Sequence, residues 1–258
     1  MNDQVAATKR WWAQALLIGG VIAVVCLPLG ALGTKFGLWA FTGGFMLLAA
    51  GAVLATLASF LGVVAYIVCL RKDLISERAP VLIGVLLGVS VLALLGMQYS
   101  KASSVPPIHN ISTDTVNPPQ FEKIVAIRTA EKANPLEYDA DVLAPQQATA
   151  YPWVKSLELM APVDEAVDRA EAVMRGMGLE IVAVNKSTGL VEATATTFWF
   201  GFKDDVVVRV TAGASGGSVV DVRSVSRVGQ SDLGANASRI GAVSYTHLTL
   251  PRLTRCRS

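Results

Sequence analysis

Three long apolar stretches occupy most of the first hundred residues. They cover residues 11–33, 38–70 and 80–98, and none of them contains a charged side chain. About 20 apolar residues in a helix span the ~30 Å hydrocarbon core of a bilayer. We therefore predict three transmembrane helices, the second being one long tilted helix or a helix that follows an interfacial segment. Because intramembrane charges usually mark transport pathways, their absence favours an anchor.

Basic residues near the ends of these stretches predict the orientation. Cytoplasmic flanks carry an excess of lysine and arginine. Five basic residues fall on one side and two on the other, which predicts a cytoplasmic N-terminus and a periplasmic or extracellular C-terminal domain. The five are Lys9, Arg10, Arg71, Lys72 and Arg78, and the two are Lys35 and Lys101.

The segment 101–152 is rich in proline, serine, threonine and asparagine, with two Pro-Pro pairs at 106–107 and 118–119. Proline and the residue before it favour extended backbone. We expect an irregular arm that leaves the membrane and wraps the domain. Its single histidine, His109, has no second ligand nearby, so we expect a surface or hydrogen-bonding residue rather than a metal site.

Residues 153–242 change to the patterns of a soluble domain. Apolar positions recur at helical spacing over 162–178, and alternation with a period of two follows in four segments. Ser231 is a suitable N-cap for a closing helix that begins near Asp232. These elements predict an α+β two-layer domain with a four-stranded antiparallel sheet. The predicted strands are 179–185, 190–200, 205–212 and 218–228, with a possible short strand at 157–159.

Charge and cysteine content exclude some functions. The chain is 52% hydrophobic and 16% charged, but residues 101–243 hold 13 basic and 17 acidic side chains, a net charge of −4. This balance argues against a nucleic-acid partner, which requires a clustered basic face. Cys26 and Cys69 lie in apolar stretches and Cys256 in the tail. The domain therefore has no disulfide framework, and we expect no metal and no cofactor.

The candidate chemistry lies on the last two strands. A turn centred on Ser215 places Arg209 opposite Asp221 and Val207 opposite Arg223, with Asp205 diagonal to Arg223 and Arg227. One interpretation is a solvated ladder of cross-strand pairs. The other is an anion site formed by Arg223 and Arg227 near the closing helix. A further alternative is a divalent-cation-assisted hydrolase that uses Asp204 and Asp205.

The string Arg-Ser-x-Ser-Arg-x-Gly-x-Ser-Asp-Leu-Gly at 223–234, with Phe-Lys-Asp-Asp at 202–205, resembles the signature of the domain of unknown function 1499 family. Segments at 107–114, 118–121 and 151–152 are also similar, so the resemblance covers about residues 105–240. It implies a bacterial envelope protein without implying a reaction. The pattern residues that it marks as tentative ligand-binding positions are Asp204, Asp205, Arg223, Ser224, Ser226, Arg227, Ser231, Asp232, Asn236 and Arg239.

The chain after residue 242 departs from this family. Residues 243–252 resemble translated sequencing-adapter sequence, and β-branched residues and Pro251 do not continue a helix. We therefore exclude 243–258 from the fold prediction.

Together these features predict a multi-pass protein of the bacterial inner membrane with a periplasmic binding or interaction module. Its partners are the lipid bilayer and either an envelope protein or an anionic ligand. The alternatives are the hydrolase and a purely structural protein of envelope assembly. The oligomeric state stays open.

Overall fold

The computed structural model describes residues 10–214 and 216–247. The chain forms two compact units. A helical unit contains the chain up to Ala102 together with Phe198–Gly201, and an α+β unit contains 103–197 and the chain from Phe202 onward. The expectations for Lys9, Ser215 and Cys256 lie outside the described residues.

The helical unit contains three helices, each long and apolar enough to cross a membrane. They are α1 (Trp11–Lys35), α2 (Phe41–Arg71) and α3 (Ile75–Ser103). The three predicted spans are thus confirmed as helices. The second span is one helix that begins at Phe41, after a turn.

Small residues allow the three helices to approach closely. A Cβ added to Gly84 would lie 2.8 Å from the backbone oxygen of Leu16 on α1, and one added to Gly88 would lie 2.6 Å from that of Ala55 on α2. These distances are below van der Waals contact. The Gly84–Gly88 pair therefore packs α3 against both other helices of its own chain.

The elements of the α+β unit are β1 (Asn110–Ser112), α4 (Lys123–Glu131), α5 (Ala140–Ala150), β2 (Leu157–Leu159), α6 (Val163–Gly176), β3 (Glu180–Asn185), β4 (Leu190–Thr196), β5 (Lys203–Ala212), β6 (Ser218–Ser226) and α7 (Ala235–Gly241). The strands form a six-stranded antiparallel sheet in the order β1-β6-β5-β4-β3, with β2 also paired to β6.

The prediction of four strands was wrong because two short strands join the sheet. β2 is the possible short strand predicted at 157–159, whereas β1, also of three residues, is too short for an alternating pattern to identify it. Both pair antiparallel with β6, at different parts of that strand. Hydrogen bonds to β6, rather than local sequence preference, make these segments strands.

The segment predicted to be an irregular arm also contains regular structure. Besides β1 it forms α4 and α5, helices of nine and eleven residues. Ile111 and Ile124 from this segment are fully buried. Helices this short are marginal alone and depend on tertiary packing, so the sequence pattern carries little sign of them.

Helices cover both faces of the sheet, which corrects the two-layer prediction. Val206, Val208 and Val210 of β5 belong to the large core that includes α6 and α7. On the other face, Val207 and Val225 pack against Phe121 and Ile124 from the arm and α4. Successive residues of β5 therefore pack alternately into two hydrophobic cores, one on each face of the sheet.

The closing helix starts later than predicted. α7 begins at Ala235, with Gly234 at the N-cap in a left-handed conformation (φ 80°). The Asp232 carboxylate accepts hydrogen bonds from the backbone N–H of Gly234 at 2.8 Å and Asn236 at 2.7 Å. Asp232 therefore stabilises the turn before the helix instead of starting the helix.

Helical winding continues as a π-helical turn over Ala242–His247. Val243 and Ser244 are fully buried, and Val243 belongs to the large core. These two residues therefore pack with the α+β unit, while the interpretation of 243–258 as a non-native tail stays a prediction. The rest of the tail, 248–258, lies outside the described residues.

Candidate functional site

The β5–β6 ladder has the predicted register. Arg209 pairs with Asp221, and Val207 pairs with Arg223. Asp205 pairs with Val225, so Arg223 and Arg227 lie diagonal to it. The pattern residues of β5 and β6 consequently fall into two groups, one on each face of the sheet.

Asp205 is the centre of the group on the α4 face. Its Oδ2 accepts from Arg227 Nε at 2.9 Å and from Arg128 Nη1 at 2.7 Å. Its Oδ1 accepts from Arg227 Nη2 at 2.7 Å and from Thr194 Oγ1 at 2.8 Å. All four side chains are buried. A carboxylate with two guanidinium partners is fully satisfied, which offsets the cost of removing its charge from water.

Glu131 supplies a second carboxylate at the end of α4. Its Oε2 lies 2.7 Å from Arg227 Nη1, and its Oε1 lies 3.6 Å from Lys203 Nζ. The hydrogen bond from Arg227 holds the pKa of Glu131 below its ordinary value. The side chains of Glu131 and Lys203 are 44% and 45% exposed, so this end of the network reaches solvent.

Arg223 is fully buried, and its hydrogen-bond partners among the described residues are neutral groups. Its Nε donates to Asn110 Oδ1 at 3.1 Å, its Nη1 to the carbonyl oxygen of Pro119 at 3.1 Å, and its Nη2 to that of Leu136. Each acceptor lies in a different part of the arm. Arg223 therefore fastens three points of the arm to β6.

Two aromatic rings complete the surroundings of Arg223. Its guanidinium carbon lies 5.7 Å from the ring centroids of both Phe121 and Tyr138, within cation–π distance. Burial lowers the pKa of Arg223 to about 10 and raises the pKa of Tyr138 to about 12. Among the ion pairs of residues 10–214 and 216–247, none includes Arg223.

The second group lies on the α7 face. Ser224 Oγ donates to Asn236 Oδ1 at 2.6 Å, and Asn236 Nδ2 donates to Ser226 Oγ at 2.9 Å. Arg239 Nη1 donates to Ser224 Oγ at 3.0 Å, and its Nη2 to Asp204 Oδ2 at 2.7 Å. These bonds hold α7 against β6 and β5.

Asp204 and Asp205 therefore point to opposite faces of β5. Each carboxylate already bonds a guanidinium, Asp204 with Arg239 and Asp205 with Arg227. Two carboxylates on opposite faces cannot ligate one ion. Within the part of the chain that the structure describes, no group of three or more His, Cys, Asp or Glu side chains could hold a metal.

Ser231 and Asp232 lie in the turn before α7. Ser231 Oγ accepts from the backbone N–H of Leu233 at 3.3 Å. Burial raises the pKa of Asp232, although hydrogen bonds from Asn236 and Gly234 oppose this effect. Both side chains shape the backbone that leads into the helix.

Sequence reasoning missed Arg128, Glu131 and Glu192. The first two belong to α4, inside the segment predicted to be irregular. Glu192 is buried on β4, and its carboxylate accepts from the backbone N–H of Glu122 at 2.5 Å and Lys123 at 2.8 Å. It thus caps the N-terminus of α4 from another element. The one sequence signal for the role of Glu192 was the presence of a charged residue within a largely apolar strand.

A cleft of about 530 Å³ is lined in part by Asn110 and Tyr138, which both contact Arg223. His109, Asn110 and Tyr138 line it together with Val142 and Leu143 from α5. The Tyr138 hydroxyl is buried and has no hydrogen-bond partner among the described residues. The cleft is open and has mixed polarity.

Three helices long and apolar enough to cross a membrane and an α+β unit organised by buried charges define the class of the protein. A family model described as protein of unknown function (DUF1499) matches residues 110–244, more than half of the chain. The chain belongs to that family, which confirms the resemblance in the sequence. A search of curated proteins found no match.

Proposed function

We propose that this chain is a multi-pass protein of the bacterial inner membrane with a periplasmic, non-catalytic interaction module. One observation carries the proposal: each charged pattern residue is bonded inside the α+β unit. These residues are Asp204, Asp205, Arg223, Arg227, Asp232 and Arg239.

A catalytic group needs atoms that a substrate can reach. The side chains of Asp204 and Asp205 are 6% and 0% exposed. Both carboxylates are also occupied by ion pairs, Asp204 with Arg239 and Asp205 with Arg227. The geometry therefore favours a scaffold that presents a surface over a hydrolase that uses these two groups.

Turnover assays test the non-catalytic character. We expect the purified full chain to hydrolyse none of a panel of esters and phosphoesters, with or without Mg²⁺ or Ca²⁺, and to gain no thermal stability from either ion. Hydrolysis that disappears in Asp204→Asn or Asp205→Asn would overturn the proposal.

The orientation rests on the basic residues at the helix ends. Arg71 is in the last turn of α2 and Lys35 in the last turn of α1. With three spans, the excess of basic residues near the N-terminus and the α2–α3 turn supports a periplasmic α+β unit.

Reporter fusions test this orientation. Alkaline phosphatase fused to the C-terminus should be active, and green fluorescent protein fused at the same place should be dark. The reverse result would refute the periplasmic location.

An anionic ligand is a second candidate function, favoured by the solvent-exposed end of the network. Arg227 Nη1 and Lys203 Nζ both meet the Glu131 carboxylate there. A phosphate or carboxylate that displaced Glu131 would find two cations already placed. We name Glu131, Lys203 and Arg227 the Glu131 site.

A phosphate titration tests the Glu131 site. In Glu131→Gln both cations lose the Glu131 carboxylate, although Arg227 keeps Asp205. Inorganic phosphate should therefore raise the melting temperature of this variant more than that of the wild type. Glu165→Gln is the matched control, because Glu165 pairs with Arg169 on the exposed face of α6. Equal responses of all three proteins would exclude the site.

A further inference from the structure

The turn between β4 and β5 carries three consecutive aromatic residues, Phe198, Trp199 and Phe200. β4 ends at Thr196, before the predicted end at residue 200, so these side chains leave the sheet. Phe198 is 72% exposed and Trp199 is 55% exposed. Residues Phe198–Gly201, named here the aromatic tip, belong to the helical unit.

Contacts within the helical unit place the aromatic tip at one end of the helices. Lys35 Nζ donates to the carbonyl oxygen of Phe198 at 2.8 Å and lies 4.8 Å from the centroid of its ring. The ring of Phe200 lies 5.4 Å from that of Phe45. Lys35 is the last residue of α1 and Phe45 is near the start of α2.

The same end of the helices exposes further apolar side chains. Phe36 and Leu38, in the turn between α1 and α2, are 70% and 69% exposed. With Phe198 and Trp199 they give one end of the unit an apolar surface next to a lysine. Monomeric soluble proteins rarely expose such patches. Aromatic rings beside a basic residue are typical of the headgroup region of a membrane.

We propose that the aromatic tip inserts into the headgroup region of the bilayer that surrounds α1 and α2. Phe198 and Trp199 contact lipid there, and Lys35 lies at the level of the lipid phosphates. The occupant of this surface is phospholipid, because α1 and α2 continue from it as apolar helices of membrane-spanning length. The inference rests on the membrane location in the proposed function, and its test separates the two.

Quenching by brominated lipid measures the contact directly. The chain has five tryptophans, at positions 11, 12, 39, 153 and 199. Two single-tryptophan chains, one keeping Trp199 and one keeping Trp11, are reconstituted in nanodiscs of phosphatidylcholine brominated near the headgroup end of its acyl chains. The same lipid without bromine is the reference, and circular dichroism verifies that each chain keeps its fold.

We expect at least a twofold loss of emission from both single-tryptophan chains in brominated lipid. Quenching of Trp11 without quenching of Trp199 would overturn the aromatic-tip proposal alone. Quenching of neither would overturn the membrane location itself.

A second measurement keeps the rest of the chain unchanged. The difference in emission between the wild type and Trp199→Phe isolates Trp199 in the native background. In nanodiscs, the emission maximum of that difference spectrum should be blue-shifted relative to free tryptophan. Quenching of this emission by acrylamide should be at least twofold weaker than that of free tryptophan. An emission maximum and an acrylamide response like those of free tryptophan would contradict insertion.

Discussion

Arg227 and Asp205 form two parallel hydrogen bonds across the β5–β6 ladder, from Nε to Oδ2 at 2.9 Å and from Nη2 to Oδ1 at 2.7 Å. This bidentate geometry is the strong form of an arginine–carboxylate pair. The side chains are 5% and 0% exposed, so neither charge is screened by water. Arg128 joins the same carboxylate. One aspartate therefore pairs with two buried guanidiniums, and Glu131 supplies Arg227 with a second carboxylate.

Asp205→Asn should destabilise the α+β unit by about 3–5 kcal/mol, because both guanidiniums would lose a buried anionic partner. Chemical denaturation of the full chain in detergent measures the change. In contrast, Glu165→Gln removes an exposed pair on α6 and should cost only about 0.5 kcal/mol. A similarly small loss of unfolding free energy in both variants would show that the buried Arg227–Asp205 pair contributes little to stability.

Charge reversal separates the ladder from the anion-site interpretation of the arginines. Arg223→Glu with Arg227→Glu should abolish the cooperative unfolding transition of the α+β unit, since both side chains are buried. The measurement is near-ultraviolet circular dichroism during denaturation. A folded double variant that has lost its response to phosphate would instead support the anion site.

Glu192→Gln should loosen α4. The carboxylate caps the positive end of this helix and accepts from three successive backbone N–H groups, those of Glu122, Lys123 and Ile124. Loss of the charge should cost about 1–2 kcal/mol. Hydrogen exchange of α4 should accelerate, while that of α6 should remain at its wild-type rate. Equal exchange in α4 before and after the substitution would contradict the capping role.

The Glu131–Arg227 pair predicts a pH dependence with a definite sign. The pKa of Glu131 is lowered from 4.5 in the folded chain, chiefly by the hydrogen bond from Arg227. Its stabilisation is therefore present above pH 4.5 and is lost as the pH falls through the lowered value. The difference in melting temperature between wild type and Glu131→Gln should be largest near pH 7 and should shrink below pH 4.5. A constant difference down to pH 3 would argue against the pair.

Gly84→Leu should disrupt the helical unit, because a Cβ at this position would lie within 3 Å of the α1 backbone. Overpacking of this kind costs roughly 1–3 kcal/mol. Gly96→Leu is the matched control on the same helix, since nothing lies within 4 Å of its added Cβ. In detergent, Gly84→Leu should aggregate at a lower temperature than the wild type, whereas Gly96→Leu should aggregate at the wild-type temperature. The same shift in both variants would exclude close packing as the cause.

The register of β5 and β6 was predictable because a short turn joins long strands of alternating polarity. The placement of Arg209 opposite Asp221 follows from the turn alone. The partners of Arg223 were not predictable, since they lie 87 to 113 residues earlier in the chain. Two of the three are backbone carbonyl groups, which any residue supplies. No pattern of side chains marks Pro119 or Leu136 as an acceptor.

The same long separations set an order of assembly. A ribosome makes Asn110, Pro119 and Leu136 well before Arg223, and all three depend on that one guanidinium. During synthesis the arm therefore lacks its hydrogen bonds to Arg223 until β6 has emerged from the ribosome. Such a delay exposes Ile111 and Phe121 to solvent or to chaperones. The last quarter of the chain thus decides when its middle can fold.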